Sequence, residues 1–328
     1  MKTVAFHIDN LSFRGTTTAV RDYAKYNQEL LNNKSIIILD QNTKNSLQDE
    51  NFLRKQEVLE YYKNNFSVIE YSNKTDFEHQ LQKNNCDFVY FLKAGFNDGM
   101  ISSTTKSLIH CVFNHYQPHG HKYAYVSRWL AEVSSNNKCK YVPHIVDLPK
   151  QPKIDFREKY GIEKDKIVIG RYGGFDQFDI DFVKGTIGFV LANDSDIIFL
   201  FVNTRNFLDS PHPRIKFLDS IIDPQEKTDF ISSCDAMIHA RSDGESFGLS
   251  ICEFLFHNKP TISFGGGRDK NNVEILKNYG LIYNNQYQLL ENIFKLKHKK
   301  YNNCYECIVK EYSPKSVMKK FNEVFLGD

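Results

Sequence analysis

HARSDGESFGLSICEFLFHNKPTISFGGG, residues 239–267, carries the reading of the whole chain. A buried strand ends at His239–Arg241, and SDGESFG turns sharply before a helix that begins near Gly248 and carries Ser250, Cys252, Glu253 and Phe254. PTISFG, after the helix, is again a short apolar run, so the segment reads strand–helix–strand. In open α/β sheets ligands sit at the carboxyl ends of strands, where a helix N-terminus offers unpaired N–H groups. Phe247, Gly248 and Leu249 supply such donors here, and Gly248 lets a phosphate approach the backbone closely. Glu245 stands in the loop above, and Glu253 falls about two turns into the helix. Both carboxylates can then reach one ligand from different sides. The plainer alternative is a solvated loop glutamate with a helix glutamate capping neighbouring amides.

Outward from this segment, strands alternate with helices. TVAFHID (Thr3–Asp9) precedes AVRDYAKYNQELL, where Ala19, Tyr23, Tyr26 and Leu30 recur at helical spacing. SIIILD (Ser35–Asp40), a helix through Asn51–Asn64, a strand at Phe66–Tyr71 and the strand CDFVYFLKAG follow. SLIHCVF and KYAYVS are further strand candidates, and Ser127 reads as the N-cap of SRWLAEVSS. Three prolines close together in PHIVDLPKQP mark a boundary, and a second cycle opens with KIVIGRY (Lys166–Tyr172) and DIIFLFVN (Asp196–Asn203). Such alternation implies parallel sheets covered on both faces. Two α/β units joined near Pro149 result, and Ser313-Pro314 starts a last helix with Val317, Phe321, Val324 and Phe325 on one face.

The 328 residues suit two domains of ordinary size, and 41% hydrophobic with 25% charged residues excludes a disordered tail. A formal net charge of +2 argues against a protein whose main work is neutralising nucleic-acid phosphates. No apolar run is long enough for a membrane-spanning helix, and MKTVAFHIDNLSFRG reads as a first strand instead of a signal peptide. The sequons at Asn10, Asn65 and Asn73 therefore carry little weight. Seven scattered cysteines form no disulfide framework, so a reducing, cytoplasmic setting is expected; Cys304 and Cys307 form a C-x-x-C with no second pair for zinc and read as incidental helix cysteines.

Glu245-SFGLSIC-Glu253 resembles the E-x7-E motif of retaining glycosyltransferases of the family-4 type, which have the GT-B fold. The resemblance extends along the chain. NKPTIS is similar to the strand after the motif helix, and VAFHIDNLSFRGT to the first strand and glycine loop. YAYVSRWLAE, YVPHIVDLP and KYGIEKDKIVIGRYGG resemble the family's later landmarks in the same order. It implies two Rossmann-like parallel-sheet domains facing each other across a cleft. Residues 1–149 form the acceptor side, with 313–328 crossing back onto it as a C-terminal helix, and residues 150–312 bind the nucleotide sugar.

By the same resemblance, Glu253 takes the ribose hydroxyls, Glu245 contacts the donor sugar near its reacting centre, and the amides of Phe247, Gly248 and Leu249 hold sugar and diphosphate. Arg171 matches the arginine that neutralises the leaving diphosphate. The family follows that arginine closely with a Lys-Gly, whereas the nearest here, Lys184-Gly185, lies well downstream, beyond YGGFDQFDIDFV. Lys184 is thus either a phosphate ligand or a solvated helix lysine, and Gly173, Gly174 and Asp176 shape this loop differently from the family norm.

On the acceptor side, Arg14-Gly15-Thr16 opens a helix whose amides can approach the diphosphate, or is only a tight turn. His115 follows a buried strand where the family often places a histidine facing sugar and acceptor; a structural histidine is the alternative. HYQPHGH, with His115, His119 and His121, lacks the completing ligand of a zinc site. KLKHKK (Lys295–Lys300) offers itself to an anionic membrane surface or a phosphorylated acceptor, though such runs are more often solvated helix ends. The expectation is a metal-independent retaining transferase taking a UDP- or GDP-sugar to a hydroxyl of a carbohydrate or glycoconjugate. It needs no cofactor, no nucleic acid and no transmembrane segment. The alternatives are a GT-B-fold nucleotide-sugar epimerase and a catalytically silent nucleotide-sugar-binding scaffold.

Overall fold

The computed structural model describes residues 1–8, 11, 15–41, 52–277, 279–298 and 305–327. Asp9, Asn10, Arg14, Asn51, Cys304 and the end of the Lys295–Lys300 run lie outside the described residues. The chain forms two compact units, one of residues 1–145 with 312–328 and one of residues 146–311.

The first unit is built on β1 (Thr3–Ile8), β2 (Lys34–Asp40), β3 (Ser67–Tyr71), β4 (Phe88–Lys93), β5 (Lys106–Cys111), β6 (Lys122–Tyr125) and β7 (Lys140–Tyr141). All pair in parallel, in the order β3-β2-β1-β4-β5-β6-β7. Val4, Ala5 and Phe6 and the run Ile36–Leu39 are fully buried, as strands covered on both faces require. The helix Gly15–Glu29 lays Ala19, Tyr23 and Tyr26 into the core. Leu30 departs from the expected stripe: the helix ends at Glu29, the chain turns through Asn32 at φ 53°, and Leu30 is left 44% exposed. The helix Pro314–Phe321 and the wider turn Asn322–Leu326 close this unit, with Phe321 against Tyr23 (5.3 Å between ring centroids) and Phe325 against His110 (5.2 Å).

The second unit is built on β8 (Ile167–Tyr172), β9 (Ile197–Val202), β10 (Ile215–Leu218), β11 (Ala236–His239), the short β12 (Gly244–Glu245), β13 (Thr261–Phe264), the short β14 (Asp269–Lys270) and β15 (Leu281–Tyr283). Its main sheet runs β10-β9-β8-β11-β13-β15, while β12 and β14 pair separately. Both large sheets repeat one logic: three strands march outward, then the order reverses beside the first strand. That reversal leaves a crevice at the carboxyl ends of the two central strands. In the second unit the central pair is β8, ending at Arg171–Tyr172, and β11, ending at His239. The residues quoted at the outset therefore sit where a doubly wound sheet receives a ligand.

No helix among the described residues is long and apolar enough to cross a membrane, and they contain no cluster of metal-ligating side chains. Cys86, Cys111, Cys139, Cys234 and Cys252 are free. Cys307, expected to be incidental, is instead disulfide-bonded.

Candidate functional site

Glu245 sits on β12, six positions beyond the end of β11. The loop between them is closed by backbone contact with β14. Gly244 adopts φ +75°, and a Cβ added there would lie 1.9 Å from the carbonyl oxygen of Asp269. Only glycine meets both demands. Gly244→Ala is accordingly expected to pull β12 off β14 and to destabilise the fold by about 2–4 kcal/mol. Thermal denaturation checks this, and a midpoint within ~2 °C of the parent would refute it.

The Glu245 carboxylate is gripped from two sides. Oε1 lies 3.0 Å from His239 Nε2 and Oε2 lies 3.2 Å from Arg241 Nη1. Burial alone lifts this carboxyl, but the His239 hydrogen bond and the charges of Arg241 and Arg171 outweigh it and hold it below the usual carboxylate range. Arg171 is 4% exposed at the end of β8. Its Nη1 donates to the Asn203 carbonyl (2.9 Å) and to Thr204 Oγ1 (2.5 Å), and its Nη2 donates to the Gly174 carbonyl (2.8 Å). Burial pulls the guanidinium down to about 10 against the charges of Glu245 and Asp179, so it remains a cation at neutral pH.

Beyond Glu245, Gly248 caps the helix Leu249–Phe256 in a left-handed conformation at φ +89°. The first-turn amides of any helix lack intrahelical acceptors, and the Phe247–Gly248 peptide is aimed by a specific contact. Asn271 Nδ2 donates to the Phe247 carbonyl at 2.7 Å. In a trans peptide that turns the Gly248 N–H to the opposite side. Glu253 is the fifth residue of this helix, little more than one turn in rather than two, and is buried beside Lys227, whose Nζ lies 3.2 Å from Oε1. The same ammonium lies 5.1 Å from the centroid of the Tyr172 ring.

No protein-family model matches the chain, and no curated protein does. Solved structures do. A glycosyltransferase from Rickettsia africae is similar over 100% of this chain and 99% of its own, with a TM-score of 0.71 at 15% identity. Anabaena HepE, solved with UDP-glucose, is similar over 100% of both chains, with a TM-score of 0.74 at 13% identity. Sucrose-phosphate synthase from Thermosynechococcus elongatus covers 99% of this chain and 98% of its own, with a TM-score of 0.72 at 12% identity. The fold is GT-B.

Within the second GT-B unit, Glu245, Arg171, Phe247, Gly248, Leu249 and Glu253 all fall on the β8/β11 side of the sheet or on the helix that follows it. Gly173 lies just beyond Arg171; its carbonyl accepts from Asn203 Nδ2 at 2.8 Å, and a Cβ there would meet Arg171 Nη2 at 3.0 Å. The loop it opens is tied down further on, where Arg205 holds Asp176 and Ser242 donates from N and Oγ to Asp179. Lys184 lies in the first turn or so of the helix Asp181–Asn193, its Nζ 3.0 Å from Asp181 Oδ1. The remaining candidates belong to the first GT-B unit. Gly15 and Thr16 open the helix Gly15–Glu29. His115 lies in the loop after β5, with its ring edge-on to Phe96 at 5.6 Å and its carbonyl accepting from the Tyr123 and Tyr125 hydroxyls.

Sequence reading passed over His239 and Arg241 as mere strand end, and missed Lys227, Asp179 and Asn271. For the first two a signal existed: a histidine and an arginine at the carboxyl end of a buried strand, within six positions of a motif glutamate. For Lys227 none did, because its partner is on another helix.

Proposed function

We propose that the chain is a retaining, metal-independent glycosyltransferase that moves a glycosyl unit from a nucleoside-diphosphate sugar, UDP- or GDP-linked, to a hydroxyl of a carbohydrate or glycoconjugate. The observation that carries this reading is the convergence, at the switch point of the second sheet, of an ionised Glu245, a buried cationic Arg171 and the glycine-capped N-terminus of the helix Leu249–Phe256. An anionic diphosphate is matched by the guanidinium and the helix amides. A sugar with vicinal hydroxyls is matched by the carboxylates of Glu245 and, at the ribose, Glu253. HepE, with the same fold, binds UDP-glucose, and MnaA from S. aureus, also similar in fold, binds UDP; both support the assignment.

In the proposed reaction the acceptor hydroxyl attacks the anomeric carbon on the face from which the diphosphate departs. The glycosidic C–O bond breaks, its electron pair leaves with the phosphate oxygen, and that oxygen takes the hydroxyl proton. Negative charge grows on the phosphate as the bond lengthens, and a fixed guanidinium acts most strongly at that moment. His115, Gly15 and Thr16 are assigned to the acceptor side and to the near approach of the diphosphate. Lys184 enters as a phosphate ligand only by giving up Asp181.

The test is thermal stability against UDP, GDP, ADP, CMP and their common sugars, with and without EDTA. A nucleotide at 100 times its dissociation constant adds about 2.7 kcal/mol. One base raising the midpoint regardless of EDTA is the expected result. A panel that leaves the midpoint unmoved refutes the donor site and with it the transferase reading.

A further inference from the structure

The register of the second sheet puts His239 on β11 directly opposite Ser263 on β13. Their side chains meet, with His239 Nδ1 3.0 Å from Ser263 Oγ, and Asn272 Nδ2 donates to the same Oγ at 2.9 Å while also donating to the Phe264 carbonyl at 2.9 Å. On its other side His239 Nε2 lies 3.0 Å from Glu245 Oε1. Four side chains thus form one unbroken line, Asn272–Ser263–His239–Glu245, and His239, Ser263 and Asn272 are all buried. The His239 carbonyl is held as well, by the Tyr283 hydroxyl at 2.9 Å.

The chemistry of each group fixes the direction of the line. An ionised carboxylate only accepts, so the proton shared with Glu245 sits on Nε2. A neutral imidazole then has a bare Nδ1, which must accept; Ser263 donates to it, and the Ser263 oxygen in turn accepts from Asn272. Every hydrogen in the line has one place to go. The line ends on Glu245.

We propose that His239 is the positioning residue of Glu245: its Nε2–H holds the carboxylate in one orientation while Ser263 and Asn272 lock the imidazole in the tautomer that does so. This rests on the reading of Glu245 as the contact to the donor sugar. His239 touches no substrate in this account and acts through the carboxylate. The other charged or titratable groups facing Glu245 are Arg171 at the end of β8, Arg241 after β11, and Cys252 on the helix Leu249–Phe256. Asp269 and Lys270 on β14 pair with its strand, and Asp243 precedes that strand. Arg171 favours the carboxylate through its charge and Arg241 Nη1 holds Oε2 at 3.2 Å, while the imidazole holds Oε1 at 3.0 Å.

The experiment combines histidine 15N spectra of the whole chain with 13C titration of the Glu245 carboxyl, in the parent, H239Q, H239L and S263A, alongside pH profiles of transfer. The parent is expected to show His239 protonated at Nε2 with a bare Nδ1. In H239L the Glu245 carboxyl titrates about one unit or more higher, the acid limb of kcat moves with it, and kcat falls between roughly tenfold and a hundredfold while the affinity for the nucleoside diphosphate holds. H239Q, whose amide N–H replaces the Nε2–H, restores most of both. S263A removes the hydroxyl that donates to Nδ1 and moves the Nδ1 resonance, while the proton stays on Nε2, facing Glu245. A parent spectrum with the proton on Nδ1, or an H239L variant with an unmoved carboxyl and an unmoved limb, overturns the assignment. If H239L does not fold, the parent and S263A spectra still decide. If the parent transfers no sugar while the carboxyl moves as described, the functional reading fails and the positioning of Glu245 stands.

Discussion

Arg171→Met is expected to lower kcat/KM for transfer by ~10³-fold, the scale on which a fixed guanidinium stabilises a departing phosphate. The arginine is unusual in that most of its hydrogen-bonding capacity is turned inward, to the carbonyls of Asn203 and Gly174 and to the Thr204 hydroxyl. Its planar fork braces two loops at the carboxyl edge of the sheet and carries a positive charge into a buried place. Methionine keeps much of the volume but leaves those acceptors bare, so the variant also loses about 1–3 kcal/mol of stability. Arg171→Lys separates the two roles. Lysine retains the charge but has one ammonium where the arginine has a fork, so stability is expected to fall nearly as far while more of the turnover survives. Steady-state kinetics beside thermal denaturation reads both. Turnover within tenfold of the parent in Arg171→Met would remove Arg171 from the proposed reaction and leave it a brace.

How much of this was legible depended on separation along the chain. The strand–turn–helix of residues 239–256 announced itself locally: a glycine where the chain must turn left-handed at φ +89°, a helix opening on it, and glutamates before and after. The alternation of strands and helices likewise needed no partner to be seen, and with it came two parallel sheets. What stayed hidden was contact between distant segments. His239 and Ser263 are brought opposite one another by the β11/β13 register, and a register is not written in either strand. Lys227 and Glu253 meet because two helices pack, and Lys227 alone in PQEKTDF looks like any surface lysine. The error at Leu30 has the same root. Helical spacing was right through Tyr26, but where the helix stops is decided by the turn at Asn32. Arg171 was found through its resemblance to a family motif, whereas its bracing of the Gly174 and Asn203 carbonyls required coordinates.

The first unit should also be sensitive to acid through groups far from the candidate site. His110 is fully buried between β4 and the C-terminal turn. Its Nε2–H donates to the Val142 carbonyl, an acceptor only, at 2.9 Å, so Nδ1 accepts from the Tyr90 hydroxyl at 2.7 Å. Protonation puts a second donor on Nδ1 and forces the Tyr90 hydroxyl to reverse inside a core packed with Tyr23, Phe321 and Phe325. Burial therefore pushes His110 down to about 4, and burial with the neighbouring His110 pushes His144 well below its ordinary value. The sign follows. Below pH 6.5 the unfolded chain takes up protons that the folded chain refuses, so stability falls as pH drops from about 6.5 and, for His110, is lost fully only below about 4. Each histidine contributes a slope of about 1.4 kcal/mol per pH unit inside that window, and His110 alone contributes ~3 kcal/mol across it. His110→Gln keeps a donor for the Val142 carbonyl and does not titrate. It is expected to be less stable than the parent at pH 7.5, yet to lose stability between pH 6.5 and 5 with about one proton less of slope, measured by denaturant unfolding at each pH. Equal slopes in the two proteins would mean that His110 accepts a proton in the folded state without cost, and that the packing of the C-terminal helix is not what holds it neutral.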